Sequence, residues 1–175
     1  MFDARGPVLG IDPGLSCCGY GAVRRHERAL TAVACGVLRT EPTAPLPDRL
    51  ATLEAELDVF LRELRPCALA VERVLFQANV RTAISVGQAS GIALAVAARA
   101  GVPVTHYSPN EVKLAVAGDG GAAKAQVQDM TRRLLRLAEA PPPDAADALA
   151  LAVCHLWRAP LRERVSRAVA AGPSS

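Results

Sequence analysis

The apolar segments at the start of the chain have the length and the flanking turn residues of β-strands. Residues 7–12, PVLGID, form a short apolar run that ends in an acid, and Pro13 and Gly14 then favour a turn. A second strand is predicted at CGYGAV, and a third at residues 31–39 after the polar turn RRHERAL. The three segments predict an antiparallel meander.

A run of leucines indicates that the next element is an amphipathic helix. Six leucines recur at spacings of three and four residues, namely Leu46, Leu50, Leu53, Leu57, Leu61 and Leu64. Pro66 is expected to stop this helix. Residues 67–71, CALAV, are continuously apolar and too few for a helix, so they predict a buried strand reached by a helical crossover.

A long helix and one more strand follow. Residues 79–100 are predicted to be helical and to end at Gly101, and Gly87 and Gly91 in this segment would let another backbone approach closely. VPVTHY, at residues 102–107, is the fifth strand candidate.

Three helices are predicted after the last strand. Ser108 and Glu111 form a capping box around Pro109, the preferred first residue of a helix. The second helix covers residues 122–137, and the third starts at Asp144 after a triple proline and runs to about residue 157. This order of elements predicts an α/β domain with a mixed sheet.

Length and composition limit the class of protein. At 175 residues and 51% hydrophobic composition, the chain is predicted to form one compact domain over residues 1–158 with an Arg-rich, flexible tail over residues 159–175. It lacks an apolar stretch of membrane-spanning length and the hydrophobic region of a signal peptide, so we expect a cytoplasmic protein without membrane contact. Five cysteines without a CxxC spacing are expected to be reduced and mostly buried.

Four carboxylates stand at the ends of predicted buried elements. Asp12 and Glu72 each follow a strand, where α/β sheets place their sites. Asp144 and Asp147 are three residues apart and share one helix face, and residues 139–156 contain no Lys or Arg to pair with them. The structural alternatives are helix capping for the last two and a turn-forming role for Asp12.

Taken together, these four carboxylates favour hard, oxygen-loving cations. Zinc would require His and Cys ligands, and a general acid and base would require only two carboxylates. Four acids in one pocket repel one another unless divalent cations neutralise them, so we predict a two-metal site that holds Mg2+ or Mn2+. The usual chemistry of such a pair of ions is in-line displacement at phosphorus.

The net charge of +3 is mild, but its composition is uneven. Only two of the 20 basic residues are lysines, Lys113 and Lys124. Arg serves wherever only positive charge matters, so these positions indicate a need for a compact ammonium group, unless the two lysines survived by chance.

Three segments together resemble one protein family. VLGIDPGLSCCGYG, AVERVLFQANVRTAISVGQASG and PDAADALALAVCH, in this order and at these separations, resemble the RuvC family of bacterial crossover junction endodeoxyribonucleases over about residues 8–157. The resemblance implies an RNase H-like fold with a mixed five-stranded sheet flanked by helices. It also implies a homodimer that binds four-way DNA junctions and resolves them, in recombination and repair, by paired symmetric Mg2+-dependent cuts with 5′-phosphate and 3′-hydroxyl ends. RuvA and RuvB are the partners that the resemblance implies.

The resemblance also implies roles for individual residues. The catalytic acids and metal ligands correspond to Asp12, Glu72, Asp144 and Asp147, and the basic residues near the active site correspond to Lys113 and Lys124. Some members have an aromatic residue three positions after the glutamate, where this chain has Leu75. Phe76 follows it and is expected to stack on a junction base or, alternatively, to pack in the dimer interface or against the next helix. The residues expected to contact DNA are Arg73, Leu75, Phe76, Arg81, Lys113 and Lys124.

Two other functions agree with parts of the sequence. An actin-like nucleotide-binding enzyme shares the GID turn, but it needs a second such domain, for which 175 residues are expected to leave no room. A junction-binding protein without catalysis is the other alternative. It would gain nothing from four acids facing phosphate.

Overall fold

The structure is a computed structural model that describes residues 6–27, 29–73 and 80–170, with residues 81 and 160–170 described by their backbone alone. Within these ranges the strands are β1 (Val8–Asp12), β2 (Cys17–His26), β3 (Ala29–Arg39), β4 (Ala68–Glu72) and β5 (Val104–Tyr107). The helices are α1 (Leu46–Leu64), α2 (Val80–Arg99), α3 (Pro109–Ala117), α4 (Lys124–Leu134) and α5 (Pro143–Ala170).

The strands form one mixed sheet in the order β3-β2-β1-β4-β5. Strand β2 is antiparallel to both β1 and β3, whereas β4 is parallel to β1 and β5 is parallel to β4. The first three strands are the predicted meander, and α1 is the predicted crossover to β4. The mixed five-stranded sheet is therefore confirmed.

Helices cover both faces of the sheet, because side chains alternate along each strand. Leu9 and Ile11 of β1 pack in one hydrophobic cluster with Leu53 and Leu57 of α1, and this cluster also contains α2. Val8 lies on the opposite face, in a second cluster with α3, α4 and α5. The hydrophobic core therefore has two layers, one on the α1 side of the sheet and one on the α5 side.

Two glycines let α5 lie directly on the sheet. A Cβ atom on Gly10 of β1 would overlap the backbone oxygen of Ala148, and one on Gly19 of β2 would overlap the backbone oxygen of Asp144. Any larger residue at either position would push α5 away from the sheet. The first turn of α5 is in this way fixed above β2.

The ends of α5 differ from the prediction. The helix begins at Pro143, so Asp144 is its second residue and Asp147 its fifth, and neither is the N-cap. Capping is therefore the wrong interpretation of both. The helix also continues to Ala170, well past the predicted end near residue 157, because residues 161–170 consist largely of strong helix formers that outweigh the proline at position 160. The tail's flexibility stays a prediction.

The remaining helices and the cysteines agree with the sequence in most respects. The capping box of Ser108 and Glu111 is present at the start of α3, whereas α4 is shorter at both ends than predicted. Among the described residues the five cysteines form no disulfide, and two of them, Cys18 and Cys154, are fully buried. Among the described helices, none is long and apolar enough to cross a membrane.

Candidate active site

Asp12 and Glu72 lie side by side at one end of the sheet. They end the neighbouring parallel strands β1 and β4, in which Ile11 is the register partner of Val71. Parallel strands are about 4.8 Å apart, so their carboxyl ends bring the two side chains together. Glu72 is also paired in register with Tyr107 of β5, whose hydroxyl oxygen lies 3.1 Å from Nδ1 of the buried His155.

The two aspartates of α5 approach this end of the sheet from the face that α5 covers, and of the two, Asp147 lines the cavity there while Asp144 does not. Asp144 lies over Gly19, and Gly19 is the register partner of Asp12. Asp147 is one helical turn further along. A cavity of about 310 Å³ is lined by Asp12, Glu72 and Asp147 together with both lysines of the chain, Lys113 and Lys124. Its remaining lining is formed by Pro109, Val112, Val127, Ala150 and Leu151.

Burial and neighbouring charges raise the pKa of Asp12 and of Glu72. Burial and then the charges of Glu72, Asp147 and Asp144 raise the pKa of Asp12 to about 7, although Lys124 opposes the shift. The pKa of Glu72 is raised mainly by burial and then by Asp147. A site with this much uncompensated negative charge would be stabilised by a bound cation.

Asp147 is held by two residues of α4. The Nζ of Lys124 lies 2.5 Å from Oδ2 of Asp147, and Nε2 of Gln128 donates to Oδ1 at 3.1 Å. This contact raises the pKa of Lys124. Gln128 was missed from the sequence. The signal that could have identified it is its position four residues after Lys124, which places both side chains on one face of α4.

The donor set fits a hard divalent cation, because every acid at the site offers carboxylate oxygens. Among the described residues, no three Asp, Glu, His or Cys side chains lie close enough together to form a ready ligand cluster. Lys124 occupies one oxygen of Asp147 in this arrangement. Cation binding at Asp147 would therefore require the ammonium group to move.

Comparison with known proteins identifies the family. Residues 8–155 match the family described as crossover junction endodeoxyribonuclease RuvC. The chain belongs to the RuvC family. It is 53% identical to RuvC of Streptomyces griseus over 96% of this chain and 83% of that protein, and 53% identical to RuvC of Salinispora arenicola over 92% and 93%. Members of the family are endonucleases that hydrolyse DNA, which confirms the predicted enzyme class.

A solved RuvC structure supports the same fold. The structure of Thermus thermophilus RuvC in complex with a Holliday junction substrate superposes with a TM-score of 0.84 at 40% identity, covering 89% of this chain and 95% of that one. The RNase H-like fold expected from the sequence is thereby confirmed.

The other residues predicted at the RuvC site are placed only in part. Arg73 directly follows Glu72, is exposed, and donates its backbone N–H to the Tyr107 carbonyl at 2.7 Å. Leu75 and Phe76 lie outside the described residues, as does the side chain of Arg81 in the first turn of α2. Their DNA contacts therefore stay predictions.

Proposed function

We propose that this chain resolves Holliday junctions in DNA recombination and repair by metal-dependent hydrolysis of phosphodiester bonds. The observation that carries the proposal is the single cavity in which Asp12, Glu72 and Asp147 meet Lys113 and Lys124. Membership of the RuvC family supports it, as does the likeness to the Thermus thermophilus RuvC bound to its junction substrate.

The four acids are the proposed metal ligands. Asp12, Glu72, Asp144 and Asp147 would hold two Mg2+ ions per subunit, and Mn2+ would substitute. When bound, such ions activate water and stabilise the leaving oxygen of an in-line displacement, which yields 5′-phosphate and 3′-hydroxyl ends. The raised pKa of Asp12 supports this assignment, because a bound cation would restore its ionised form at neutral pH.

The lysines act on the substrate's phosphate. Lys113 and Lys124 line the same cavity as the acids, and an ammonium group there would offset the negative charge that develops on the phosphorus substituents. Both lysines are accordingly proposed as catalytic residues.

A homodimer is proposed through one face of α2. Val80 and Ile84 expose 73% and 56% of their surface, and a Cβ atom on Gly87 or Gly91 would meet nothing within 4 Å. Because this face of α2 is apolar and its two glycines carry no side chain, a second copy of the chain could approach it closely. Two sites related by a two-fold axis would match the near two-fold symmetry of a four-way junction and cut it symmetrically.

Partners, location and the wedge region rest on family likeness. RuvA and RuvB are proposed as partners and the cytoplasm as the location. Arg73, Leu75, Phe76 and Arg81 are proposed to contact the junction, with Phe76 stacking on a base.

The proposal is tested with a synthetic four-way junction whose strands are labelled separately. We expect paired nicks in strands of like polarity when Mg2+ is present, and none in a linear duplex of the same sequence. Asp12→Asn should bind the junction with unchanged affinity and fail to nick it. If the wild type binds the junction but nicks it in no divalent metal, the protein is a junction-binding protein without catalysis and the proposal is wrong.

A further inference from the structure

Two arginines flank the turn that follows Asp12. In α1, Arg49 donates from Nη2 to Oγ of Ser16 at 2.7 Å and from Nε to Oγ1 of Thr40 at 3.0 Å. At the end of β3, Arg39 donates from Nη1 to Sγ of Cys17 at 3.0 Å. Arg49 thus contacts the segment that joins Asp12 to β2, and Arg39 contacts the first residue of β2.

Neither guanidinium is neutralised by an acid. Within the described residues no carboxylate oxygen lies within 4.0 Å of Arg39 or Arg49, and their hydrogen bonds all go to neutral groups. By contrast, Arg62 of the same helix pairs with Asp58 at 3.0 Å. Arg49 is only partly exposed and stands in the first turn of α1, where the helix dipole adds positive potential. A partly buried cation in such a place favours an external anion.

The two arginines approach the carboxylates from different faces of the sheet. Arg49 belongs to α1, on the face away from the lysines, whereas Arg39 and its register partner Cys17 alternate with Leu38 and Cys18 of the α1-side cluster and so point to the opposite face. Helix α1 covers one face of the sheet, and α4 with Lys124 covers the other. Arg39 is at the same end of the sheet as Asp12, because Arg39 pairs with Cys17 and Asp12 with Gly19 in the two ladders. Positive groups therefore border the carboxylates from both faces.

The turn itself is held rigidly. Oγ1 of Thr40 donates to the carbonyl of Leu15 at 2.5 Å, and the Thr40 backbone N–H donates to the carbonyl of Ser16 at 3.3 Å. Because Arg49 is bonded to Ser16 and Thr40, its side chain has already lost much of its freedom. A ligand bound there would cost little additional conformational entropy.

We propose that Arg39 and Arg49 each bind a backbone phosphate of the DNA strand that is cut, with the hydroxyl of Ser16 beside Arg49. This inference rests on the proposed function. Strands β1 and β3 are two strand spacings, about 10 Å, apart, so the bound phosphates are neighbours of the scissile one and not the scissile one itself. A guanidinium group suits this task because its planar donors match two phosphate oxygens. The site positions the strand over Asp12 and Glu72.

The test measures junction affinity against salt concentration in metal-free buffer, where no cutting occurs. Arg39→Gln and Arg49→Gln are compared with wild type by fluorescence anisotropy of a labelled junction. Each lost phosphate contact should reduce the slope of log K against log salt by about 0.9, which corresponds to about eightfold weaker binding at 0.1 M salt. The double variant should lose about twice the slope.

Two control variants separate the phosphate site from other effects. Arg62→Gln removes the same charge at the far end of α1 and should leave the slope unchanged. Thr40→Val removes the tether of the turn but retains both guanidinium groups, so it should lower stability without changing the slope.

Each outcome decides between these interpretations. If Arg39→Gln and Arg49→Gln bind with wild-type affinity and slope, while wild type binds the junction, the arginines only brace the turn and the inference is wrong. The same holds if Thr40→Val reduces the slope as much as Arg49→Gln does. A wild type that does not bind the junction at all overturns the proposed function, and this inference with it.

Discussion

The ammonium nitrogen of Lys124 lies 2.5 Å from Oδ2 of Asp147, although both residues are expected to serve catalysis in different ways. Asp147 is a proposed metal ligand, and Lys124 is proposed to face the phosphate. A metal ion and the ammonium group of Lys124 would therefore compete for the Asp147 carboxylate, and metal binding would free Lys124 to face the substrate.

Replacing Lys124 with Met should strengthen metal binding while it weakens catalysis. The affinity for Mn2+, measured by calorimetry without DNA, should rise about 2- to 5-fold, because a partly exposed ion pair contributes at most about 1 kcal/mol. Junction cutting should fall about 100-fold or more, since a charge that stabilises the transition state is lost.

Lys113→Met is the matched control for this prediction. Lys113 lines the same cavity, but the side chains that contact Asp147 in the described part of the chain are Lys124 and Gln128. Its replacement should change the Mn2+ affinity less than that of Lys124. Equal affinities for Mn2+ in the Lys124→Met variant and wild type would show that the lysine does not compete with the metal.

Gln128→Ala should weaken metal binding, which is the opposite of the effect expected for Lys124→Met. Gln128 donates to Oδ1 of Asp147 and also to the carbonyl of Pro143 at 3.4 Å, so it fixes both the carboxylate and the start of α5. Loss of such an outer contact typically costs about 10- to 100-fold in metal affinity or activity. We expect the Mn2+ affinity to fall by about tenfold with little change in junction binding. Gln126→Ala, at an exposed position of the same helix, should behave as wild type.

The contrast between Asp12 and Gln128 shows what the sequence can predict about this site. Asp12 and Glu72 each follow a short apolar run, and parallel strands bring such ends to one edge, so their meeting follows from the hydrophobic pattern and the topology. The contact of Gln128 with Asp147 follows from neither the hydrophobic pattern nor the topology. Its side chain faces Asp147 because Val127 and Thr131 turn inward and set the rotation of α4, which is a matter of packing between helices.

Both ends of α5 differ from the prediction, because local sequence signals do not by themselves set where a helix begins and ends. Pro143 was taken as the end of a loop, but proline is favoured in the first turn of a helix, where its missing N–H is not needed. At its other end, the helix runs past both the predicted limit near residue 157 and the proline at position 160. Local rules of this kind give the existence of a helix more reliably than its limits, because long-range packing decides how far it continues.

Stability in the absence of metal should fall as pH rises toward neutrality. The folded-state pKa of Asp12 is raised from 3.8 to about 7, so between these values the folded protein binds more protons than the unfolded chain does. Its contribution is therefore most favourable near pH 4 and is lost as pH rises through 7. The free energy of unfolding, measured with urea in EDTA, should drop by on the order of 2 kcal/mol from pH 5 to pH 7.5.

Asp12→Asn isolates this effect from the titration of the three histidines. The variant keeps the shape of the side chain but has no proton to lose, so its stability should depend less on pH than that of wild type. Saturating Mg2+ should also recover stability at pH 7.5 in wild type. If the free energy of unfolding depends on pH in the same way in wild type and variant, the surroundings of Asp12 do not raise its pKa and the prediction is wrong.

The exposed face of α2 should decide the oligomeric state. Ile84→Asp places a charge on a side chain that is 56% exposed in the single chain, so its direct cost to the monomer's fold should be below about 0.5 kcal/mol. Buried in a dimer, the same charge would be unpaired and would cost several kcal/mol. Sedimentation velocity should therefore show a dimer for wild type and a monomer for the variant. Val59→Asp, on the exposed side of α1 at 41%, should remain dimeric. If both variants sediment like wild type, α2 is not the contact between subunits, and symmetric cutting must be explained by another interface.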